Sequence, residues 1–103
     1  MTTGDILISI GITPNLRGFE YICMATEILS VDSKASVQRV YKVIADKKST
    51  KTESVERTIR HAISKADRNC DWWKENIRKG NTVNSEFLSI LAYRIREEHK
   101  EDD

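Results

Sequence analysis

The side chains best suited to chemistry in this sequence lie in one short stretch, residues 53–64. Glu53, Arg57, Arg60 and Ser64 recur every three to four residues, so a helix here would place them on one face. An arginine guanidinium presents two parallel donors that match the O6 and N7 acceptors of guanine in the major groove of DNA. The spacing therefore predicts a charged helical face that could contact DNA, although a solvated helix surface gives the same pattern.

The element that must position this face is a pair of amphipathic helices in about residues 36–68. Apolar residues in both halves follow a helical period, and a polar turn over Lys47–Thr52 separates them. Two short helices at this separation predict a helix-turn-helix, whose second helix enters the major groove. Ser36 is the expected cap of the first helix, and Thr50 or Thr52 is the expected cap of the second. The apolar positions are Val37, Val40, Tyr41, Ile44, Ala45, Val55, Ile59, Ala62, Ile63 and Ala66.

Outside this pair the apolar residues also follow a helical period, and no alternating run is long enough for a strand. A chain of 103 residues has room for one domain, so the expected fold is a single all-α domain over residues 1–103, a compact bundle of about six helices. Residues 5–12 form a short apolar segment that should make one or two helical turns, ended by Gly11 and the turn that follows it. A second helix should span residues 16–31, with Tyr21 at the edge of its apolar face.

Two further helices are expected after the pair. Asp71 is the predicted cap of a short helix over residues 72–77. One of its adjacent tryptophans should be buried and the other partly exposed, because neighbours on a helix point about 100° apart. The last helix should begin at Asn84 or Ser85 and end before a charged tail, residues 97–103, which is expected to fray.

Charge is segregated along the chain although the net charge is only +1. Residues 34–80 carry 13 Lys and Arg against 6 Asp and Glu, a net charge of +7, while the flanks carry 4 against 10, a net charge of −6. A basic centre favours a surface that meets phosphates, because each neutralised phosphate contributes salt-dependent affinity. Residues 78–82 form a basic turn that is suited to contact a phosphate backbone.

The sequence does not support other kinds of site. Cys23 and Cys70 lack metal-site spacing and no histidine completes such a site, so both are expected to be reduced thiols. His61 has no nucleophile partner and no glycine-rich phosphate loop occurs, so we expect a protein that is not an enzyme and uses no cofactor or metal. The N-terminal apolar segment is too short for a signal peptide or a membrane span, which favours a cytoplasmic protein with no membrane partner.

Residues 54–63, Ser-Val-Glu-Arg-Thr-Ile-Arg-His-Ala-Ile, resemble the recognition helix of a known family. The family is the C-terminal DNA-binding effector domain of the sporulation initiation regulator, stage zero sporulation protein A. The resemblance spans about residues 6–100. Three further stretches carry it, namely residues 10–11 with 16–19, residues 84–87 and residues 98–100.

The resemblance implies a transcription regulator with a compact six-helix fold that binds a short box of double-stranded DNA as a head-to-tail homodimer on tandem sites. It implies that Glu56 and Arg57 contact base edges, and that Arg60 and His61 contact the backbone or neighbouring bases. It also implies a tail contact from Lys100, and RNA polymerase sigma factor as a further partner. The candidate DNA-contacting residues are Lys51, Glu53, Glu56, Arg57, Arg60, His61, Ser64 and Lys100.

The sequence departs from the family pattern in three places. Lys48 stands where the family has an aromatic residue, Glu53–Ser54 replaces a small and a basic residue, and the segment between His61 and Asn84 is several residues shorter. We therefore expect this protein to recognise a DNA sequence that differs from the one recognised by the family. In the family, the segment that is shortened here lies near the surface that engages sigma factor. Transcription activation is therefore the family property that this protein is least expected to share. The family's receiver domain is absent and the chain starts at Met1, which favours a stand-alone protein not controlled by phosphorylation.

Two other functions stay open on the sequence. One is a DNA-binding accessory protein of a plasmid or other mobile element, acting in transfer, replication or partition. The other is a protein–protein interaction module that uses an exposed tryptophan and the acidic tail. The interaction module predicts no loss of affinity as salt rises, whereas contact with several phosphates predicts a loss of about a decade or more over a few-fold increase in salt.

Overall fold

The computed structural model describes the backbone of residues 2–102 and the side chains of residues 2–98. Within that part of the chain there are six helices and no strand, which confirms the expected all-α fold class. The helices are α1 (Thr3–Ser9), α2 (Arg17–Val31), α3 (Val37–Lys47), α4 (Thr52–Ile63), α5 (Asp71–Asn76) and α6 (Asn84–Asp102).

The central helix of the bundle is α2, which packs against α1, α3, α4 and α6. Near its N-terminus, Gly18 lies directly against α4. A Cβ atom at Gly18 would be 2.5 Å from the Cβ of Ala62 and 2.6 Å from the carbonyl oxygen of Thr58. Only a residue without a side chain permits this approach. The contact therefore sets how closely α4 lies against the rest of the bundle.

The inner faces of the helices form a single apolar core. The apolar positions predicted for the helix pair are all buried except Val37, which is half-buried. Trp73 is 1% exposed and Trp72 is half-buried, which confirms the expected division between the two tryptophans. Tyr21, which was predicted at the edge of the apolar face, is 6% exposed, so the buried surface includes that edge. Its helix, α2, is covered by several neighbours, so its buried surface is wider than a single stripe.

The first helix begins earlier and ends earlier than the apolar pattern predicts. Its cap is Thr2, whose hydroxyl accepts from the Asp5 amide at 3.1 Å while the Asp5 carboxylate accepts from the Thr2 amide at 3.1 Å. This capping box starts α1 at Thr3. The helix ends at Ser9, and Gly11 then takes a φ of 95°, a conformation that favours glycine.

The turn between α3 and α4 corrects the predicted cap of α4. Ser49 has a φ of 53°, its amide donates to the Asp46 carbonyl at 3.5 Å, and the Thr50 amide donates to the Ala45 carbonyl at 2.9 Å. This pattern is a Schellman motif, with serine at the position usually held by glycine. Because Thr50 is tied back to α3, the cap position falls on Lys51, which makes no side-chain capping bond.

Three other helix ends can be compared with the ends predicted from the sequence. The hydroxyl of Ser36 accepts from the Arg39 amide at 3.2 Å, so the predicted cap of α3 is confirmed. The predicted cap of α5 was wrong: the Cys70 amide closes a turn on the Asp67 carbonyl, which leaves Cys70 at the cap and Asp71 inside the helix. The start of α6 at Asn84 is confirmed.

The charged tail belongs to α6, which continues to Asp102, so the backbone of residues 97–102 is helical and the expected fraying of the tail stays a prediction. This stretch contains no glycine or proline, and glutamate and lysine are good helix formers.

Candidate nucleic-acid interface

The helix pair α3 and α4 presents the predicted charged face to solvent. The two helices pack against each other across a short turn, an arrangement consistent with a helix-turn-helix. On α4 the apolar residues Val55, Ile59, Ala62 and Ile63 are no more than 3% exposed. Because this side of α4 is held in the core, the orientation of the opposite side is fixed.

Five of the candidate residues lie together on the outer face of α4 and its C-cap. These are Glu53, Arg57, Arg60, His61 and Ser64, and all five are exposed. Lys51, at the N-cap, is exposed as well. Arg57 is central in this row, and its guanidinium makes no hydrogen bond or ion pair with any residue that the structure describes. Its donors are therefore available to a ligand.

Arg60 differs from Arg57 because it is already paired. Its Nη1 atom donates to the Glu56 Oε1 atom at 2.9 Å, one helical turn away. The Arg60 side chain stays 63% exposed and that of Glu56 is 35% exposed. The ion pair holds the Arg60 guanidinium along the helix and partly neutralises the Glu56 carboxylate. Glu56 is thus paired within its own helix through one carboxylate oxygen, and the base contact that the resemblance implies for it stays a prediction.

The first residue of α6 is hydrogen-bonded to the backbone of α4 beside the Glu56–Arg60 pair. Asn84 is 9% exposed, and its side-chain Nδ2 donates to the backbone carbonyl of Glu56 at 3.0 Å. Tyr41 of α3 lies beside it, and burial raises the pKa of the Tyr41 phenol. Glu56 raises this pKa further, whereas the hydrogen bond with Asn84 and the charge of Arg60 oppose the shift. Tyr41, Asn84, Glu56 and Arg60 are among the residues that line a groove of about 370 Å³.

Ser64 and Lys100 complete the set of candidate residues. The Ser64 hydroxyl donates to the His61 carbonyl, so its proton is used within the helix and only its lone pairs are available. The side chain of Lys100 lies outside the described residues. The site is thus a row on α4 extended by Lys51, and the tail contact stays a prediction.

One residue that the sequence did not single out organises the C-terminal end of α4. Arg68 donates to the carbonyls of Ile63, Ser64, Ala66 and Gly80, at 3.3, 3.1, 2.7 and 3.0 Å. Its only signal in the sequence is a positive charge in a polar turn. Its acceptors are backbone atoms, of which one is 12 residues away, so side-chain patterns do not identify it.

No other chemistry is assembled in the described residues. They contain no group of three or more His, Cys, Asp or Glu that could hold a metal ion. Cys23 and Cys70 are both unpaired, and burial raises the pKa of the Cys23 thiol. None of the helices in the described part of the chain has both the length and the apolar character needed to cross a membrane.

Comparison with known protein families agrees with this geometry. The model of the family described as sporulation initiation factor Spo0A C terminal matches residues 3–95. The match includes all of α1 to α5 and most of α6. This family is a DNA-binding effector domain of a transcription regulator and is not an enzyme family. The chain therefore belongs to the family of sporulation initiation factor Spo0A C-terminal domains.

Proposed function

We propose that this domain binds double-stranded DNA in a sequence-specific manner, with α4 as its recognition helix, and that it acts as a transcription regulator. The observation that carries the proposal is Arg57: an exposed guanidinium without a partner among the described residues, central on a helix whose other side is buried. Because the other side of α4 is held in the core, contact with a base edge has to order the Arg57 side chain but not the helix that carries it.

The row on α4 divides into base contacts and supporting contacts. Arg57 pairs with the O6 and N7 atoms of a guanine. Glu53 lies in the first turn of α4, where recognition helices contact bases, and its carboxylate accepts from the amino group of a cytosine. Arg60 and His61 meet phosphates or neighbouring bases, and Glu56 positions Arg60 through their ion pair. Lys51 contacts a phosphate at the N-terminal end of the helix.

Two further parts of the proposal follow from the family resemblance. Two copies bind side by side on tandem DNA boxes, which is tested by counting protein molecules per duplex on single-box and double-box DNA. The other part is a contact with RNA polymerase sigma factor, through which the domain would act on transcription.

The test begins by selecting bound duplexes from a random pool and sequencing them. Fluorescence anisotropy then compares the affinity of the selected duplex with that of a shuffled duplex for the wild type, Arg57→Ala and Arg94→Ala. Arg94 is a matched control because it is exposed, donates to the Asn76 side chain at 2.6 Å and lines a groove with Glu75 and Glu97, where phosphates would be repelled.

We expect the selected sequences to share a consensus that contains guanine. Arg57→Ala should lose about 1–3 kcal/mol of discrimination between the two duplexes, whereas Arg94→Ala should bind like the wild type. A pool without a consensus, or an Arg57→Ala variant with wild-type discrimination, would contradict the proposal. Affinity for a protein partner that does not change with salt would favour an interaction module instead.

A further inference from the structure

A second basic surface lies away from the outer face of α4. It surrounds a hollow of about 400 Å³ whose lining contains four cationic side chains and no acidic one. Lys74, Arg78 and Lys79 are exposed at its rim, and we name these three residues the basic patch. The hollow is lined by Arg68, Asn69, Trp73, Lys74, Arg78, Lys79 and Gly80.

Arg68 attaches this surface to the C-terminal end of α4. Its Nη1 atom donates to three carbonyls at that end, and its Nε atom donates to the Gly80 carbonyl at 3.0 Å. Its guanidinium carbon also lies 4.7 Å from the centre of the Trp73 ring, a cation–π contact. One side chain therefore joins α4, α5 and the loop before α6, and places positive charge at the negative end of the α4 dipole.

Trp73 fixes the loop from the other side. Its indole Nε1 donates to the Lys79 carbonyl at 2.8 Å, and its own carbonyl accepts from the Arg78 amide at 3.2 Å. Arg78 is held at a φ of 65°, a conformation that costs energy for any residue other than glycine. A loop held in this strained form by several bonds presents its charges in a defined arrangement.

The charges of the basic patch are largely available to a ligand. The Lys74 ammonium has no hydrogen-bond or ion-pair partner among the described residues. The Arg78 guanidinium makes one long bond, from Nε to the Glu75 carbonyl at 3.4 Å. Lys79 is 3.3 Å from the Glu86 carboxylate, an exposed pair of small energetic value. Within the described chain, the amides of residues 79–81 donate to no carbonyl, so they can also serve an anion.

The length of α4 indicates where the basic patch lies relative to a duplex whose major groove holds α4. With 12 residues, α4 is about 18 Å long, whereas the major groove of B-form DNA is about 12 Å wide. When the N-terminal half of a recognition helix contacts bases, its C-terminal end reaches the edge of the groove. The residues bonded to that end by Arg68 then lie near the phosphates that border the groove.

We propose that the basic patch is a second DNA contact, which binds the phosphate backbone beside the groove occupied by α4 and contributes affinity without sequence preference. The inference rests on the proposed function, because it requires α4 to lie in the major groove. It assigns Lys74 and Arg78 as the phosphate-contacting residues, with Arg68 and Trp73 as the residues that position them.

The test measures affinity as a function of salt for the selected and the shuffled duplex. The variant Lys74→Gln with Arg78→Gln removes two charges and keeps Arg68 and Trp73. Its matched control is Lys34→Gln with Lys47→Gln. Both control positions are exposed and lie near Asp32: the Lys34 amide donates to the Asp32 side chain at 3.2 Å, and Lys47 lines a groove with Asp32.

We expect the patch variant to bind both duplexes more weakly by the same factor. Each lost phosphate contact reduces the slope of log affinity against log salt by about 0.9, so the slope should fall by close to 2, while the control keeps the wild-type slope. Circular dichroism checks the fold of each variant. Lys74→Gln alone, which leaves the strained loop unchanged, should show half the change in slope.

The outcomes separate this inference from the proposed function. A patch variant with the wild-type salt slope overturns the inference, and the proposed function then stands if Arg57→Ala still loses discrimination. A patch variant that weakens only the selected duplex also overturns it, because phosphate contacts carry no sequence preference. If the wild type binds neither duplex, the proposed function fails and this inference fails with it.

Discussion

The substitution Gly18→Ala tests how the bundle holds α4. The added Cβ would lie 2.5 Å from the Ala62 Cβ, whereas carbon atoms prefer separations of about 3.5–4.0 Å, so α2 and α4 must separate by about 1 Å. It would also lie 2.6 Å from the Thr58 carbonyl oxygen, a backbone atom that cannot turn away. Overpacking of this kind costs typically 1–3 kcal/mol, and the backbone contact puts the expected cost near the upper value.

A compensating gain has to be subtracted from that cost. Alanine is a better helix former than glycine by up to about 1 kcal/mol. The net loss in the free energy of unfolding should therefore be about 2 kcal/mol, which lowers Tm by roughly 8–16 °C for a domain of this size. Gly80→Ala is the matched control: a Cβ at Gly80 meets nothing within 4 Å, so its stability should be unchanged or slightly higher.

A double-mutant cycle measured by urea unfolding locates the cost. Ala62→Gly removes the atom closest to the new Cβ but leaves the Thr58 carbonyl in place, so the double variant should recover part of the loss caused by Gly18→Ala. Gly18→Ala should also bind the selected duplex more weakly, because α4 is displaced relative to the rest of the bundle. If Gly18→Ala is as stable as the wild type, or if the two substitutions are additive, the close α2–α4 contact does not exist as described.

Two further predictions concern the turn and the groove beside α4. A non-glycine residue at the positive φ of Ser49 costs about 1–2 kcal/mol, and the greater freedom of glycine in the unfolded chain offsets about 0.4–1 kcal/mol. Ser49→Gly should therefore raise the free energy of unfolding, measured in urea, by up to about 1.6 kcal/mol, and lower stability would exclude the left-handed turn. Burial raises the pKa of the Tyr41 phenol in the folded state above its value of about 10 in the unfolded chain. The protonated phenol therefore contributes its full stabilisation below about pH 10, and this stabilisation is lost as pH rises through the folded pKa. Unfolding measured between pH 8 and 11.5 should show this loss in the wild type and not in Tyr41→Phe, and equal slopes for the two proteins would contradict it.

The sequence by itself determined the fold class, the order of the helices and the outer face of α4. These features follow from local rules, since a 3.6-residue period of apolar residues specifies both a helix and its buried side. The same holds for Ser36, whose hydroxyl caps α3 three residues away. It holds for the two tryptophans as well, because adjacent helical positions cannot both face the core.

Helix ends were less predictable because competing bonds decide them. Threonine is a good cap, yet the cap of α4 falls on Lys51, since the Thr50 amide is already bonded to the Ala45 carbonyl. That bond depends on Ser49 in a left-handed conformation, for which a serine gives no signal. Similarly, α6 passes the expected end of the helix because no residue there stops it.

Only the tertiary structure decided which charges are free and which are already engaged. Arg57 and Arg60 are equivalent in the sequence pattern, but Arg60 is paired with Glu56 and Arg57 has no partner among the described residues. Arg68 is one more positive charge in the sequence. In the fold it joins the C-terminal end of α4 to the loop before α6 through backbone carbonyls, and it contacts α5 through the Trp73 ring. The Glu56–Arg60 pair lies within one helical turn, and the sequence offers the same spacing for Glu53 and Arg57, so spacing alone does not choose between them. The contacts of Arg68 with Gly80 and Trp73 form only once the helices have packed, because these groups belong to different segments, so no local spacing encodes them.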